Sequence, residues 1–380
     1  MELILKQYDI PLLRFSATND SSTPEIEVHW INEDQRHLLP LDMELSPEGI
    51  SRWMRRRTIP RNRAYVNRLL AKCGLNANRP MGILALCKGL SVDDSYWVVE
   101  EGFEGTFEKC NLFENRFSEV LALIAFTGYG SSNRSSLASS PEFTTNGMLP
   151  KCWRRISGKV TLYKGGTDGG YNTGAEPYCE YYAAQVAAAM GIDAIPYGLS
   201  QWKGRLCSTC ELFTDIDHAY MPIGNLVQRG GFDAVAAYYE KLGEPFQKAF
   251  RDMLVFDAVI CNTDRHYGNF GFMVDNKTNT IAAPAALFDH GNSLFNQAGP
   301  EDYESGEAFQ QYIDTLVPCV YDDFFATAKR FMADENREQL RKLLGFRFKR
   351  HVRYNLSPKR LKLMEEQVRK RAMRLLENKD

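Results

Sequence analysis

No stretch of these 380 residues stays apolar for long. The longest runs are short, such as VLALIAF at 120–126. A helix that crosses a bilayer needs about 20 apolar residues, so no membrane span is expected. The start, MELILKQYDI, has no basic segment ahead of a long apolar stretch and no small-residue cleavage site, so a secretory signal is not expected there. Charge of one sign is also missing: 46 Lys and Arg stand against 48 Asp and Glu, for a net −2. That excludes protein-wide attraction to nucleic acid or a membrane surface and leaves only local patches. Nine cysteines form no dense framework, and their number is odd; reduced thiols in a cytosol are the expectation. Cys207-Ser-Thr-Cys210 has no second CxxC and no His pair at zinc spacing. Two core thiols on a strand are therefore expected rather than a structural metal. There is no internal repeat and no G-x-G-x-x-G.

What is there is ordinary in bulk, with 44% apolar and 25% charged residues, as in soluble globular proteins. At about 150 residues per domain the length implies two or three domains or lobes. The charge is uneven: residues 341–380 hold 14 Lys and Arg against four Asp and Glu, so the first 340 are acidic.

Residues 1–45 read as strands, with YDIPLLRF and EIEVHWI split by the polar turn ATNDSSTP. At 46–60, Ser46 is an N-cap, Pro47 takes the first helical position and Pro60 stops the helix. A second helix is expected over about 62–73. Arg55, Arg56, Arg57, Arg61 and Arg63 make this pair look like a DNA reader, but no recognition helix with base-reading side chains follows, and a solvated basic face is expected. Another helix is expected over 111–127. GYGSSNRSSLASSPEFTTNG at 128–147 reads as a linker or mobile loop. Then come strands KCWRRI and KVTLYK, a Gly-rich loop GGTDGGYNTG, a helix over 176–190, strands around 195–213, and a mostly helical remainder with a hairpin at 270–288. The tail predicts a helix over 357–377 with Leu361, Met364, Val368 and Met373 as its apolar stripe, docked at the end of a helical lobe, or else serving as a basic surface for acidic protein, nucleic acid or lipid headgroups.

The chemistry lies in VICNTDRHYGNFGFMVDNKTNTIAAPAALFDHGNSLF at 259–295. Asp264 and, five residues on, Asn269 sit in a loop after a helix; a hairpin then delivers Asp289 in Asp289-His290-Gly291. Phosphoryl transfer uses a carboxylate to orient the attacking hydroxyl and hard oxygen ligands to hold magnesium. The Asp-x4-Asn interval equals that of the protein-kinase catalytic loop, and Asp-His-Gly stands where that fold has Asp-Phe-Gly. Lys164 ends a strand, as a lysine reaching nucleotide phosphates should, and Glu180 on the next helix is a candidate to pair with it, Glu176 being its rival. TTNGMLPK at 144–151, with Gly147, is a turn whose backbone N–H groups can cover phosphates. Glu211-Leu212-Phe213 ends a strand and suits an adenine-binding hinge. Arg265, His266 and His290 read as bracing groups.

NTDRHYGN (262–269), LFDHG (287–291), LYK (162–164), the helix EYYAAQVAAAMGI (180–192) and CELF (210–213) together resemble the HipA-like Ser/Thr kinases, including compact CtkA-type bacterial effector kinases, over about 144–295. The resemblance implies an α+β fold, bilobal and protein-kinase-like, with a β-rich N-lobe at 128–213, a helical C-lobe at 214–380 and an additional α/β region at 1–127. It implies ATP and Mg2+, Asp264 as the catalytic Asp, Asn269 and Asp289 as metal ligands and Lys164 on the phosphates. It also implies a Ser/Thr protein substrate, a cognate regulator, and the bacterial cytoplasm or delivery to a host cell. The family's autophosphorylated serine lies three residues before the loop glycine, a place held here by Thr144. Two rival functions stand beside this one. Phosphoinositide kinases share the Asp-Arg-His-x-x-Asn loop, and a non-catalytic nucleotide- or DNA-binding regulator would use residues 46–74.

Overall fold

The computed structural model describes residues 1–18, 24–130, 140–169 and 174–377. Most of the tract SSNRSSLASS and part of GGTDGGYNTG lie outside these. The chain divides into two compact units, each built from separate stretches: Met1–Lys164, Glu211–Met221 and Met273–Ala282 form one, and Gly165–Cys210, Pro222–Phe272 and Ala283–Asp380 the other. Among the described residues no helix is long and apolar enough to cross a membrane.

The first unit opens on a four-stranded antiparallel sheet in the order Ile26–Ile31, Ile10–Ala17, Glu2–Gln7, Tyr96–Glu100. The expected strand YDIPLLRF begins only at Ile10. Gln7 pairs with Ile10 across a two-residue turn in which Tyr8 takes φ +49, and Glu2–Gln7 ahead of that turn is a strand of its own. Strand alternation puts Leu3, Leu5, Leu13 and Phe15 into a core closed by Ile50, Trp53 and Met54 of the helix Pro47–Arg56. Ser46 caps that helix by accepting from the Gly49 N–H at 3.1 Å. The second helix is shorter than expected, Val66–Lys72, because Tyr65 before it is left-handed at φ +59. The helix expected over 111–127 covers only Glu119–Thr127. Asn111 instead makes a polar turn, its Oδ1 accepting from Phe113 and Glu114 N–H, the local competition that keeps Asn out of helices.

The hairpin Lys151–Ile156/Lys159–Gly165 brings Trp153 and Val160 into a second core with Leu90, Trp97, Val99, Phe107 and Leu112. The strands His218–Pro222, Gly271–Asp275 and Thr280–Pro284 form a three-stranded sheet with Gly271–Asp275 central. Its turn is bolted to the amino-terminal region: the Gln7 side chain donates to the Asn276 carbonyl, and the Asn279 amide donates to the His37 and Leu39 carbonyls. The strand His218–Pro222 was not legible in the sequence.

The arginines that imitated a DNA reader are not all a solvated face. Arg57 is buried, paired with Asp94 and lying over Trp53; Arg63 is buried against Glu142. Residues 140–147, expected as linker, include the buried turn Pro141–Phe143.

The second unit is mainly helical. The helix Glu176–Met190 and the hairpin of Gly198–Trp202 and Arg205–Glu211 come first. Cys207 is buried on that hairpin and Cys210 half-buried. The helix Phe246–Ile260 is buried over its last turns, against Phe324–Phe331 and the terminal helix Pro358–Leu376. Leu361, Met364, Val368, Ala372 and Leu375 are the buried stripe of that last helix. Met373, expected in the stripe, is 46% exposed, because position 373 lies one residue, about 100° of helical turn, beyond Ala372. Arg371 is buried too, donating to the Ala258 carbonyl at 2.6 Å.

Candidate active-site residues

The loop holding Asp264 and Asn269 hangs from the end of the helix Phe246–Ile260. Cys261 ends the helix in the left-handed region at φ +53. One turn earlier sits Asp257, fully buried within an apolar run. Its carboxylate accepts from Arg265 Nε at 2.9 Å, from Arg265 Nη2 at 3.0 Å and from the Asn262 amide at 3.0 Å. A forked pair of this kind is the strong form of charge-assisted bond. Burial disfavours the Arg265 cation, yet Asp257 outweighs it and the guanidinium pKa is raised. Arg265 spends its remaining donors on the loop: Nη1 on the Asn269 carbonyl at 3.0 Å and the Phe288 carbonyl at 2.6 Å, Nη2 on His290 Nδ1 at 3.1 Å. One buried cation thus joins the loop to the Asp-His-Gly turn.

Held this way, the loop presents its polar groups in fixed senses. The Asn292 amide donates to Asp264 Oδ2 at 2.8 Å, which leaves Oδ1 as an acceptor. The Asn269 amide nitrogen donates to the Asp264 carbonyl at 3.2 Å, so its Oδ1 is the end left for a ligand. His266 Nδ1 accepts from the Gly268 N–H at 3.0 Å, a brace as expected. His290 is fully buried, its ring edge-on to Phe256 and Tyr197; accepting from Arg265 at Nδ1 places its proton on Nε2.

Asp289 takes φ +56, a left-handed conformation that Asp tolerates better than most residues. Its N–H donates to the Tyr197 hydroxyl at 3.1 Å. Burial, then the nearby Glu180, holds that phenol well above its usual pKa. The buried Glu180 carboxylate accepts from the His290 N–H at 2.9 Å. Its rival Glu176 accepts from the Thr167 hydroxyl and from the Thr167 N–H at 3.2 Å, which ties it to the start of the Gly-rich loop. Glu180 and the three residues Asp264, Asn269 and Asp289 all belong to the second unit, and Lys164 to the first.

In the first unit, Lys164 is buried at the end of its strand. Gly147 sits in the 144–151 turn at φ +91, and a Cβ there would lie 2.2 Å from Lys151 Nζ. Lys151 Nζ donates to the Asn146 carbonyl at 2.9 Å. Thr144 is buried, its hydroxyl donating to the Leu90 carbonyl at 2.9 Å. In the hinge stretch Glu211 pairs with Lys159 on the surface, the Leu212 N–H is spent on the Val160 carbonyl at 2.9 Å, and the Phe213 ring packs on Tyr220.

Asp257, Asn292, Tyr197 and Lys151 were not singled out in the sequence. Asp257 had a signal, an acidic residue inside the apolar run MLVFDAVI. The other three had none apart from the fold.

No protein-family model matches the sequence, and no curated protein matches it. Among solved structures, the HipA of the Shewanella oneidensis MR-1 toxin–antitoxin system, solved with HipB and its operator DNA, matches with a TM-score of 0.53 over 98% of this chain and 97% of its own, at 13% identity. The chain has the fold of HipA. The proinflammatory kinase CtkA of Helicobacter pylori also matches, with a TM-score of 0.44 over 60% of this chain and 91% of that one, at 16% identity. The α+β architecture expected from the sequence is therefore a HipA-like one.

Proposed function

We propose that this chain is an ATP- and Mg2+-dependent protein kinase of HipA-like type that phosphorylates Ser/Thr hydroxyls, its own included. The observation that carries the reading is the loop anchored by the Asp257–Arg265 pair, which fixes Asp264 and Asn269 with one oxygen of each left for substrate or ligand. Asp264 Oδ1 accepts the proton of the attacking hydroxyl. The hydroxyl oxygen bonds to the γ-phosphorus as the bond to the leaving nucleoside diphosphate breaks. An amide oxygen and a carboxylate are hard donors that fit magnesium, so Asn269 and Asp289 would hold it, and when bound it neutralises charge on the phosphates. Lys164 holds phosphates, Glu180 fixes the Asp-His-Gly turn and is proposed to pair with Lys164, and the hinge Glu211–Phe213 takes adenine through main-chain groups other than the Leu212 N–H. The proposed organisation is an N-lobe at 128–213, a C-lobe at 214–380 and an accessory region at 1–127. The HipA structure was solved with HipB and DNA, and a cognate regulator is proposed here by likeness.

Burial of Arg57 and Arg63 in ion pairs weighs against residues 46–74 as a DNA reader. The test is incubation with labelled ATP and Mg2+, with mass spectrometry of the protein and of a cell lysate, beside a phosphoinositide vesicle arm. Phosphate on protein Ser/Thr supports the reading; transfer only to vesicles replaces it with the lipid kinase; no transfer to any acceptor refutes both. Phosphate on Thr144 requires that segment to release the Leu90 carbonyl, so a phosphorylated Thr144 in the population should come with loss of activity.

A further inference from the structure

Residues 1–127 carry none of the catalytic parts assigned above, yet they grip one of them. Arg63 precedes the helix Val66–Lys72, and its side chain has no exposed surface, nor has that of its partner Glu142. Both terminal nitrogens go to the segment that follows residue 140. Nη1 donates to the Glu142 carbonyl at 2.8 Å and the Thr145 carbonyl at 3.2 Å; Nη2 donates to Glu142 Oε2 at 2.7 Å and the Lys151 carbonyl at 2.8 Å. Glu142 Oε1 passes the restraint on, accepting from the Trp153 N–H at 2.8 Å. The next residue adds a tie, the Ala64 N–H donating to the Met148 carbonyl at 2.8 Å.

These ties have a directional consequence. A trans peptide points its N–H opposite to its carbonyl. With the Thr145, Asn146 and Met148 carbonyls taken by Arg63, Lys151 and Ala64, the N–H groups of Asn146, Gly147 and Leu149 point the other way. None of these three has a partner among the described residues. Successive N–H groups aimed in one sense make a concavity for anions.

We propose that Arg63 is the positioning residue of the phosphate loop: by fixing the Glu142, Thr145 and Lys151 carbonyls it turns the Asn146 N–H outward and frames the segment in which Lys151 and Ala64 hold the Asn146 and Met148 carbonyls, so that the Gly147 and Leu149 N–H groups also face outward for the phosphates of a nucleoside triphosphate. The amino-terminal region is thereby the frame on which the loop is stretched. This rests on the reading of 144–151 as the phosphate-covering turn.

Two variants test it. Arg63→Lys keeps a charge for Glu142 but has no fork to bridge three carbonyls. Arg63→Met with Glu142→Gln removes both charges and keeps an acceptor for the Trp153 N–H, so neither charge is stranded. Measured quantities are KM for ATP, kcat at saturating ATP, KM for the protein acceptor, and deuterium uptake of 142–150 against the sheet strands 2–17. In both variants KM for ATP should rise about tenfold, with kcat and the acceptor KM within about twofold, and 142–150 should exchange faster while 2–17 does not. Loss of thermal stability with an unchanged KM for ATP, or unchanged exchange at 142–150, overturns the proposal and leaves the kinase reading intact. A wild type that neither binds nor uses ATP removes the kinase reading, and the proposal's ligand with it.

Discussion

Replacing Asp257 by Ala tests whether the loop that carries Asp264 and Asn269 is held by one buried charge pair. The carboxylate receives three bonds of 2.9–3.0 Å, two from Arg265 and one from Asn262. The Arg265 side chain is only 1% exposed, so removing its partner leaves a guanidinium in the interior with only the lesser attraction of Asp289 to offset its burial. Breaking such a pair costs about 3–5 kcal/mol, a large share of the roughly 5–15 kcal/mol that holds a domain folded. Urea unfolding followed by circular dichroism should show the loss directly. The companion is Asp257→Ala with Arg265→Met, which removes both charges. Exchanging a whole buried pair for apolar groups is often neutral or better, so the double variant should regain most of the stability. It should not regain phosphate transfer, since the Asn269 and Phe288 carbonyls and His290 lose their common donor. A single variant within about 0.5 kcal/mol of wild type, or a double variant with full activity, would refute the idea that this pair sets the loop.

Gly147→Ala should weaken ATP binding and cost about 1 kcal/mol of stability, from a non-glycine residue held at φ +91 and from displacing Lys151 Nζ off the Asn146 carbonyl; a nucleotide titration and a melting curve read the two effects. Asn292→Ala should lower kcat with little change in KM for ATP, because Asp264 Oδ2 loses the donor that orients it; steady-state kinetics check it. Burial, with Asp94 adding, pushes Asp93 up to about 6 from 3.8. In the folded state it keeps its proton at a pH where the unfolded chain has lost it, so its contribution falls as pH rises through 6. Asp93→Asn should therefore gain on wild type in stability between pH 5 and pH 8, and a difference independent of pH would contradict this.

The loop and turn of the proposed site were legible because they are local. Asp264, Asn269 and Asp289 lie on one continuous helix–loop–hairpin, so their types and intervals can be read without knowing the fold. The helix Glu176–Met190 and the strand ending at Lys164 were also plain in the pattern. What the sequence hid is what bonds across long separations. Arg63 meets Glu142 79 residues away, and Asn279 meets His37 242 residues away. A run of arginines therefore looked like a solvated face, and a Ser/Gly-rich stretch like a linker, although part of each is buried in the same ion pair. Helix ends failed where a side chain competed with the backbone, as Asn111 does, or where a residue such as Tyr65 turned left-handed.

Asp264 and Asp289 are the residues proposed to carry phosphoryl transfer. Wild type, Asp264→Ala and Asp289→Ala, matched by their melting curves, should be incubated with labelled ATP and Mg2+ and the phosphate incorporated into protein measured. Wild type should label itself or an acceptor, and each variant should lose roughly a hundredfold to ten-thousandfold of that rate. Undiminished labelling in either folded variant would contradict the assignment.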